Sequence, residues 1–168
     1  MKLFLDTEFS SLIAAESKLI SIALVAEDGR EFYAELTPAH YWASRSPFVM
    51  EVVLPLLWGG QSEMSLPELV LKLRAWLTQF DHAKIVNDAP SWDLRFFREA
   101  IDEANLGWPA NVATSIVLFQ PDETLLLPYF DVSGRFPHHA LHDARALRSI
   151  WSLHNANVKP SISVDHMH

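Results

Sequence analysis

Apolar positions in the first 36 residues come in runs and alternations. Residues 2–9 (KLFLDTEF) begin as a short apolar strand that runs into two acids, and residues 18–26 (KLISIALVA) are apolar almost throughout, so both read as buried strands. Glu27-Asp28-Gly29-Arg30 holds an Asp-Gly turn, and residues 31–36 (EFYAEL) alternate polar and apolar, so the second and third strands form a hairpin with one wetter face. Residues 37–65 carry Pro38, Pro47, Pro55 and the Gly59-Gly60 pair, which predicts irregular structure with one short helix around Phe48 to Leu54. Pro67 then precedes Leu69, Val70, Leu73, Trp76, Leu77 and Phe80, whose spacings of three and four predict a helix over about 66–80.

Ala83 to Asp88 reads as a fourth strand, and Pro90 to Asn105 as a second amphipathic helix with Trp92, Phe96, Phe97, Ala100 and Ile101 inward; Asn105-Leu106-Gly107 ends it. Val112 to Phe119 reads as a fifth strand and Asp122 to Phe130 as a turn or two of helix. Residues 138–154 form the last long helix, with Ala140, Leu141, Ala144, Leu147, Ile150 and Trp151 inward. From Asn155 onward no pattern remains, and residues 155–168 are expected to fray. This order predicts a single α/β domain over residues 1–154, with a mixed five-stranded sheet and helices on both faces.

With 168 residues, of which 49% are hydrophobic, the chain can bury a full core without staples. The absence of cysteine excludes a disulfide framework, a thiolate zinc site and a cysteine nucleophile, and accords with a cytoplasmic location. No apolar run is long enough for a signal-peptide core or a membrane span, so no membrane partner is expected. Thirteen basic against 21 acidic residues give a net charge of −8, with no basic tail or arm. Bulk electrostatics will not hold duplex nucleic acid on such a domain. That leaves a partner other than nucleic acid, a small ligand, or a site where metal ions supply the missing positive charge.

Asp6 and Glu8 lie two apart in β spacing and so share a face with Phe4. Two carboxylates buried side by side repel, and the usual physical answer is a bound cation; oxygen ligands select a hard one, Mg²⁺ or Mn²⁺ before Zn²⁺. The plainer alternative is a strand that ends at Leu5 with both acids solvated. A third acid, Asp93, sits in the first turn of the helix after the Ile85-Val86 strand, flanked by Trp92, Phe96 and Phe97; Asp88 competes with it, and either acid could serve only to complement a helix dipole. The fourth, Asp143, lies in His138-His139-Ala140-Leu141-His142-Asp143. A zinc-protease reading of that cluster fails, because His139 occupies the place of the essential Glu.

Asp6-x-Glu8, Trp92-Asp93-x-x-Phe96-Phe97 and His138-x-Ala140-Leu141-x-Asp143-Ala144 together resemble the three-part signature of the DEDDh 3′-to-5′ exonucleases, in order and spacing, over nearly the whole chain. Asp6-Thr7-Glu8-Phe9 and the following hairpin are most similar to the compact bacterial exoribonucleases. The resemblance implies an RNase H-like fold, in which two further strands run parallel to the first of the meander. It implies that Asp6, Glu8, Asp93 and Asp143 hold two Mg²⁺ or Mn²⁺ ions, that Asp6 bridges them, and that His138 is the general base. Thr7, Phe9 and Ser10 match positions that contact the terminal nucleotide, and His139 and His142 are left with surface roles.

Where many relatives have His-Asn before the second motif, this chain has Asn87-Asp88-Ala89-Pro90, an extra acid placed to disturb substrate approach. The expected activity is metal-dependent 3′-to-5′ hydrolysis of single-stranded or 3′-overhang RNA, releasing nucleoside 5′-monophosphates. DNA is the alternative substrate, and a catalytically weak binding module the alternative role. Aromatics in residues 41–60 need cover that a homodimer would supply.

Overall fold

In the computed structural model of the chain, residues 1–103 and 105–157 are described. The elements are β1 (Lys2–Phe9), β2 (Leu19–Ala26), β3 (Glu31–Leu36), α1 (Pro38–Tyr41), β4 (Glu63–Met64), α2 (Leu66–Leu77), β5 (Lys84–Asn87), α3 (Asp93–Glu103), β6 (Val117–Leu118), α4 (Glu123–Ser133) and α5 (Ala140–Asn157). They build one RNase H-like mixed sheet in the order β4-β3-β2-β1-β5-β6. β1, β2 and β3 form the antiparallel meander; β5 lies parallel to β1, and β6 parallel to β5. No helix among the described residues is long and apolar enough to cross a membrane.

The unbroken apolar runs of β1 and β2 follow from coverage on both faces. Leu3, Leu5, Ile22 and Leu24 pack with Leu69 and Leu73 of α2 and Phe97 and Ile101 of α3. On the other face Phe4 and Val86 meet Leu147 and Ile150 of α5, while Ala23 and Val25 meet Ala140, Leu141 and Ala144. The small side chains in that last set let α5 lie close against the meander. β5 pairs only with Lys2, Leu3 and Phe4 of β1, so Asp6 and Glu8 project beyond its pairing. The carboxyl ends of β1 and β5 thereby open a crevice at the centre of the sheet, the place where α/β folds bind ligands.

Four expectations change. The sheet has a sixth strand, β4, parallel to β3 and too short at two residues to show a period in sequence. The fifth expected strand, 112–119, is broken. Ala83 pairs with Val112 and Val86 with Val117, so three steps along β5 face five along the edge chain and the surplus loops out. α4 is a full helix, capped at its start by the Asp122 side chain and ended by Gly134 in the left-handed region. α5 continues through Asn157, past the expected start of the fraying tail; the remainder of that tail, 158–168, lies outside the described residues.

Between α1 and β4 the chain makes short 3₁₀ turns and one π-helical turn, Val49–Val53, where a short helix was expected. What holds this segment down is Glu35, only 1% exposed although the alternation of β3 put it on the wetter face. Its carboxylate accepts hydrogen bonds from the backbone N–H groups of Trp58 (2.7 Å) and Gly59 (2.8 Å), and from the Tyr33 hydroxyl (2.6 Å). A buried carboxylate is tolerated because donors surround it.

Glu35→Ala strands two backbone donors and a phenol. We expect it to destabilise the fold by about 2–4 kcal/mol and Glu35→Gln by less, read as a lower urea midpoint at unchanged slope.

Candidate active site

The crevice gathers five carboxylates. Asp6 and Glu8 come from β1, opposite Ala23 and Ser21 of β2; Asp88 follows β5, Asp93 opens α3, and Asp143 lies in the first turn of α5. One oxygen each of Asp6, Glu8 and Asp143 lie within 4.8 Å of one another, as do those of Asp6, Asp88 and Asp93. Two three-carboxylate groups thus share Asp6. Asp88, the extra acid of the sequence, belongs to the second group.

Fixed donors aim these side chains. Thr7 directs its backbone N–H (3.1 Å) and hydroxyl (2.6 Å) to Asp93 Oδ1, and Asn87 Nδ2 donates to Asp93 Oδ2 (2.9 Å) and to the Leu5 carbonyl (3.0 Å). Asp143 Oδ2 accepts the backbone N–H groups of His138 (2.8 Å) and His139 (3.2 Å). Such hydrogen bonds favour the ionised form, yet burial outweighs them: Asp93 is pushed up to about 6 and Asp143 to about 7. Asp6 and Glu8 stand well above the usual carboxylate range, from burial first and then from neighbouring carboxylates; burial also raises Asp88. Oxygen-only donors that resist ionisation until a positive charge arrives suit hard divalent cations.

His138 sits at φ +65°, a left-handed backbone that non-glycine residues seldom hold, and its ring meets the edge of Phe48 at 5.1 Å. Burial lowers its pKa, which keeps the imidazole neutral and basic near pH 7. Two cavities flank the acids. One of about 640 Å³ is walled by Phe9, Leu12, Ile13, Phe48 and Trp92, and one of about 520 Å³ by α4. Both reach Asp6, Asp88, His138 and Asp143, and no lysine or arginine among the described residues lines either.

Of the expected nucleotide contacts, Phe9 lines the larger cavity, stacked on Trp92 at 4.6 Å. Thr7 lines it too, with its hydroxyl on Asp93. Ser10 requires correction: it is fully buried and off the cavity, its Oγ shared with Ser44 Oγ (2.6 Å) and the Lys18 N–H (2.9 Å), because residues 44–46 fold over it. His139 is a second correction. It is 1% exposed, stacked on Tyr33 (4.8 Å) and His142 (4.2 Å) and tilted against Trp58 (5.0 Å), beneath the segment that Glu35 clamps. Burial drives its pKa down to about 4, so it packs as a neutral ring. Leu12, Ile13 and Phe48 were not foreseen as cavity walls; the apolar Leu12-Ile13 pair just past the acids was the available signal.

The family model of the Rv2179c-like 3′-5′ exoribonuclease domain matches residues 1–154. None of the curated proteins matches the chain. Among solved structures the chain is similar to S. pombe Pop2p in its Mg²⁺- and Mn²⁺-bound form, with a TM-score of 0.61 over 94% of this chain and 83% of that one, at 11% identity. The fold is shared across that distance.

The raised carboxylates make the metal-free protein pH-sensitive. Above about pH 7.5 an unfolded chain has lost nearly all the protons of its histidines, whose ordinary value is about 6.5, and all those of its carboxyls, near 4. The folded state alone still holds protons there, so its stability falls as pH rises through the folded carboxyl values. In chelator, Tm should decrease between about pH 7.5 and 8.5; Asp6→Asn should flatten that slope, and Mn²⁺ should raise Tm most at the alkaline end. A Tm in chelator that climbs across this window contradicts the crowded-carboxylate account.

Proposed function

We propose, from the premise that the chain belongs to the Rv2179c-like family of 3′-5′ exoribonuclease domains, that it removes nucleotides one at a time from the 3′ end of single-stranded or overhanging RNA at a two-metal site. The observation that carries the two-metal reading is the pair of carboxylate triplets sharing Asp6. Asp6, Glu8 and Asp143 would hold one divalent cation; Asp6, Asp93 and Asp88 the other. When bound, the ions supply Lewis-acid stabilisation of the charge that gathers on the scissile phosphate.

The chain's own groups do the rest. His138 takes a proton from the attacking water as the new oxygen–phosphorus bond forms and the bond to the preceding 3′ oxygen breaks. The products are a nucleoside 5′-monophosphate and a strand with a new 3′ hydroxyl. Phe9, Leu12 and Phe48 wall the terminal nucleoside on the larger-cavity side. A net charge of −8 and cavities that no lysine or arginine among the described residues lines favour short single-stranded ends over long duplexes. Trp42, Phe48, Met50 and Trp58 stay exposed, which supports a homodimer that covers residues 41–60.

On 5′-labelled RNA we expect a ladder shortening by one nucleotide, abolished by chelator and restored by Mg²⁺ or Mn²⁺. Asp6→Asn should abolish it, and Asp88→Asn should weaken one of two Mn²⁺ binding events in calorimetry. Equally fast cutting of covalently closed circles would sink the exonuclease reading, and faster loss of matched DNA would reverse the substrate preference.

The two adjacent histidines, His138 exposed and His139 buried, should separate by readout. His138→Ala should lower kcat by about 10²–10⁴-fold and remove the acidic limb of the pH–rate profile, with Mn²⁺ binding kept. His139→Ala should instead cost about 2–4 kcal/mol of stability, seen in chemical denaturation, by emptying the aromatic stack.

A further inference from the structure

Residues 135–138, between α4 and α5, carry His138 on a stretch with no regular structure. Phe136 is 62% exposed, and Pro137 and His138 are exposed too, so apolar burial does not hold these residues in place. Yet His138 keeps a left-handed φ of +65°, which a non-glycine residue retains only where its surroundings impose it. Polar ties supply that constraint.

Gly134 ends α4 with its N–H on the Phe130 carbonyl (3.1 Å), and Arg135 Nη1 donates to the Tyr129 hydroxyl (3.0 Å). At the other end the His138 N–H donates to Asp143 Oδ2 (2.8 Å). Between them the Phe136 carbonyl lies 3.2 Å from His142 Nδ1. A carbonyl only accepts, so Nδ1 carries the proton in this pair, in the neutral ring and the charged one alike. The His142 ring is held in turn, stacked on His139 at 4.2 Å and edge-on to Trp58 at 6.5 Å. His142 thus joins the residue two places before His138 to the first turn of α5.

We propose that His142 is a positioning residue for the general base: by fixing the Phe136 carbonyl, its Nδ1–H keeps the Phe136-Pro137-His138 turn in the backbone that presents the His138 imidazole to the acids. This rests on the reading of His138 as the base of a hydrolytic crevice. Phe48 meets the imidazole itself, so the backbone and the ring of His138 are held from different elements. Without the His142 donor the strained turn relaxes toward negative φ, and only a fraction of the molecules present the base.

The test separates the donor from the bulk of the ring. His142→Leu keeps apolar contact with His139 and lacks the donor; His142→Asn places an amide N–H where Nδ1 stands. On 5′-labelled RNA with Mn²⁺, His142→Leu should lower kcat about five- to tenfold with KM within about twofold, and His142→Asn should restore kcat to within about twofold of wild type. On a His138→Ala background, His142→Leu should lower kcat no further, whereas damage passed through the neighbouring Asp143 would persist there. By NMR, the strong amide-to-α-proton contact within residue 138, which a positive φ gives, should weaken in His142→Leu and remain in His142→Asn. One reading needs no variant: at about pH 8 the wild-type His142 ring should be protonated on Nδ1, and protonation on Nε2 overturns the proposal. So does a change in KM instead of kcat, an equal loss on the His138→Ala background, an undisturbed positive φ in His142→Leu, or no rescue by His142→Asn. Loss of the positive φ in His142→Leu, with no Mg²⁺- or Mn²⁺-dependent release of nucleotide by the wild type, leaves His142 as the anchor of the turn and removes the hydrolytic reading.

Discussion

Mutual repulsion among five carboxylates at the ends of β1 and β5 is the constraint around which this molecule is arranged. Each is buried enough to resist ionisation, and each neighbour makes ionisation of the next harder. No lysine or arginine among the described residues lines the cavities around them to relieve it. The relief within the chain is a set of aimed donors: Thr7 and Asn87 for Asp93, and two backbone amides for Asp143. The remainder of the repulsion is an open demand for cations, which is how a domain of net charge −8 can act on a polyanion.

That arrangement holds only if the strand bearing Asp6 and Glu8 cannot slip. Leu3 and Leu5 are locked into the α2–α3 side and Phe4 into the α5 side, so a one-residue shift would drive two acids into the larger core. Asn87 adds a local tie, since the same amide holds the Leu5 carbonyl on β1 and the Asp93 carboxylate at the start of α3. The extensive apolar packing behind the crevice is therefore the support that fixes carboxylates against their own repulsion.

Much of this was legible in sequence where local periodicity governs. The spacing of Asp6 and Glu8 placed them on one face with Phe4, and the apolar runs of β1, β2, α2, α3 and α5 gave the layers. The misreadings share a cause, which is contact between distant segments. Ser10 follows the acids directly yet is enclosed by residues 44–46. His139 looked superficial beside His138 and is buried because a segment eighty residues earlier is clamped over it by Glu35. Asp88 read as an intruder; only the turn between β5 and α3 reveals that its carboxylate joins those of Asp6 and Asp93. The edge strand failed for a geometric reason, since no pattern of residues announces that five steps of chain must match three.

The left-handed backbone at residue 138 has an evolutionary side. Glycine is the residue that this conformation prefers, because any Cβ there is strained. Imidazole is what the proposed chemistry requires. A lineage released from the need to hydrolyse would drift toward glycine at this one position and gain stability by doing so, whereas a lineage that keeps its histidine records continued selection for turnover. Under the role proposed for His138, the identity of residue 138 among related chains would mark which of them keep hydrolysis and which have become binding proteins on the same scaffold.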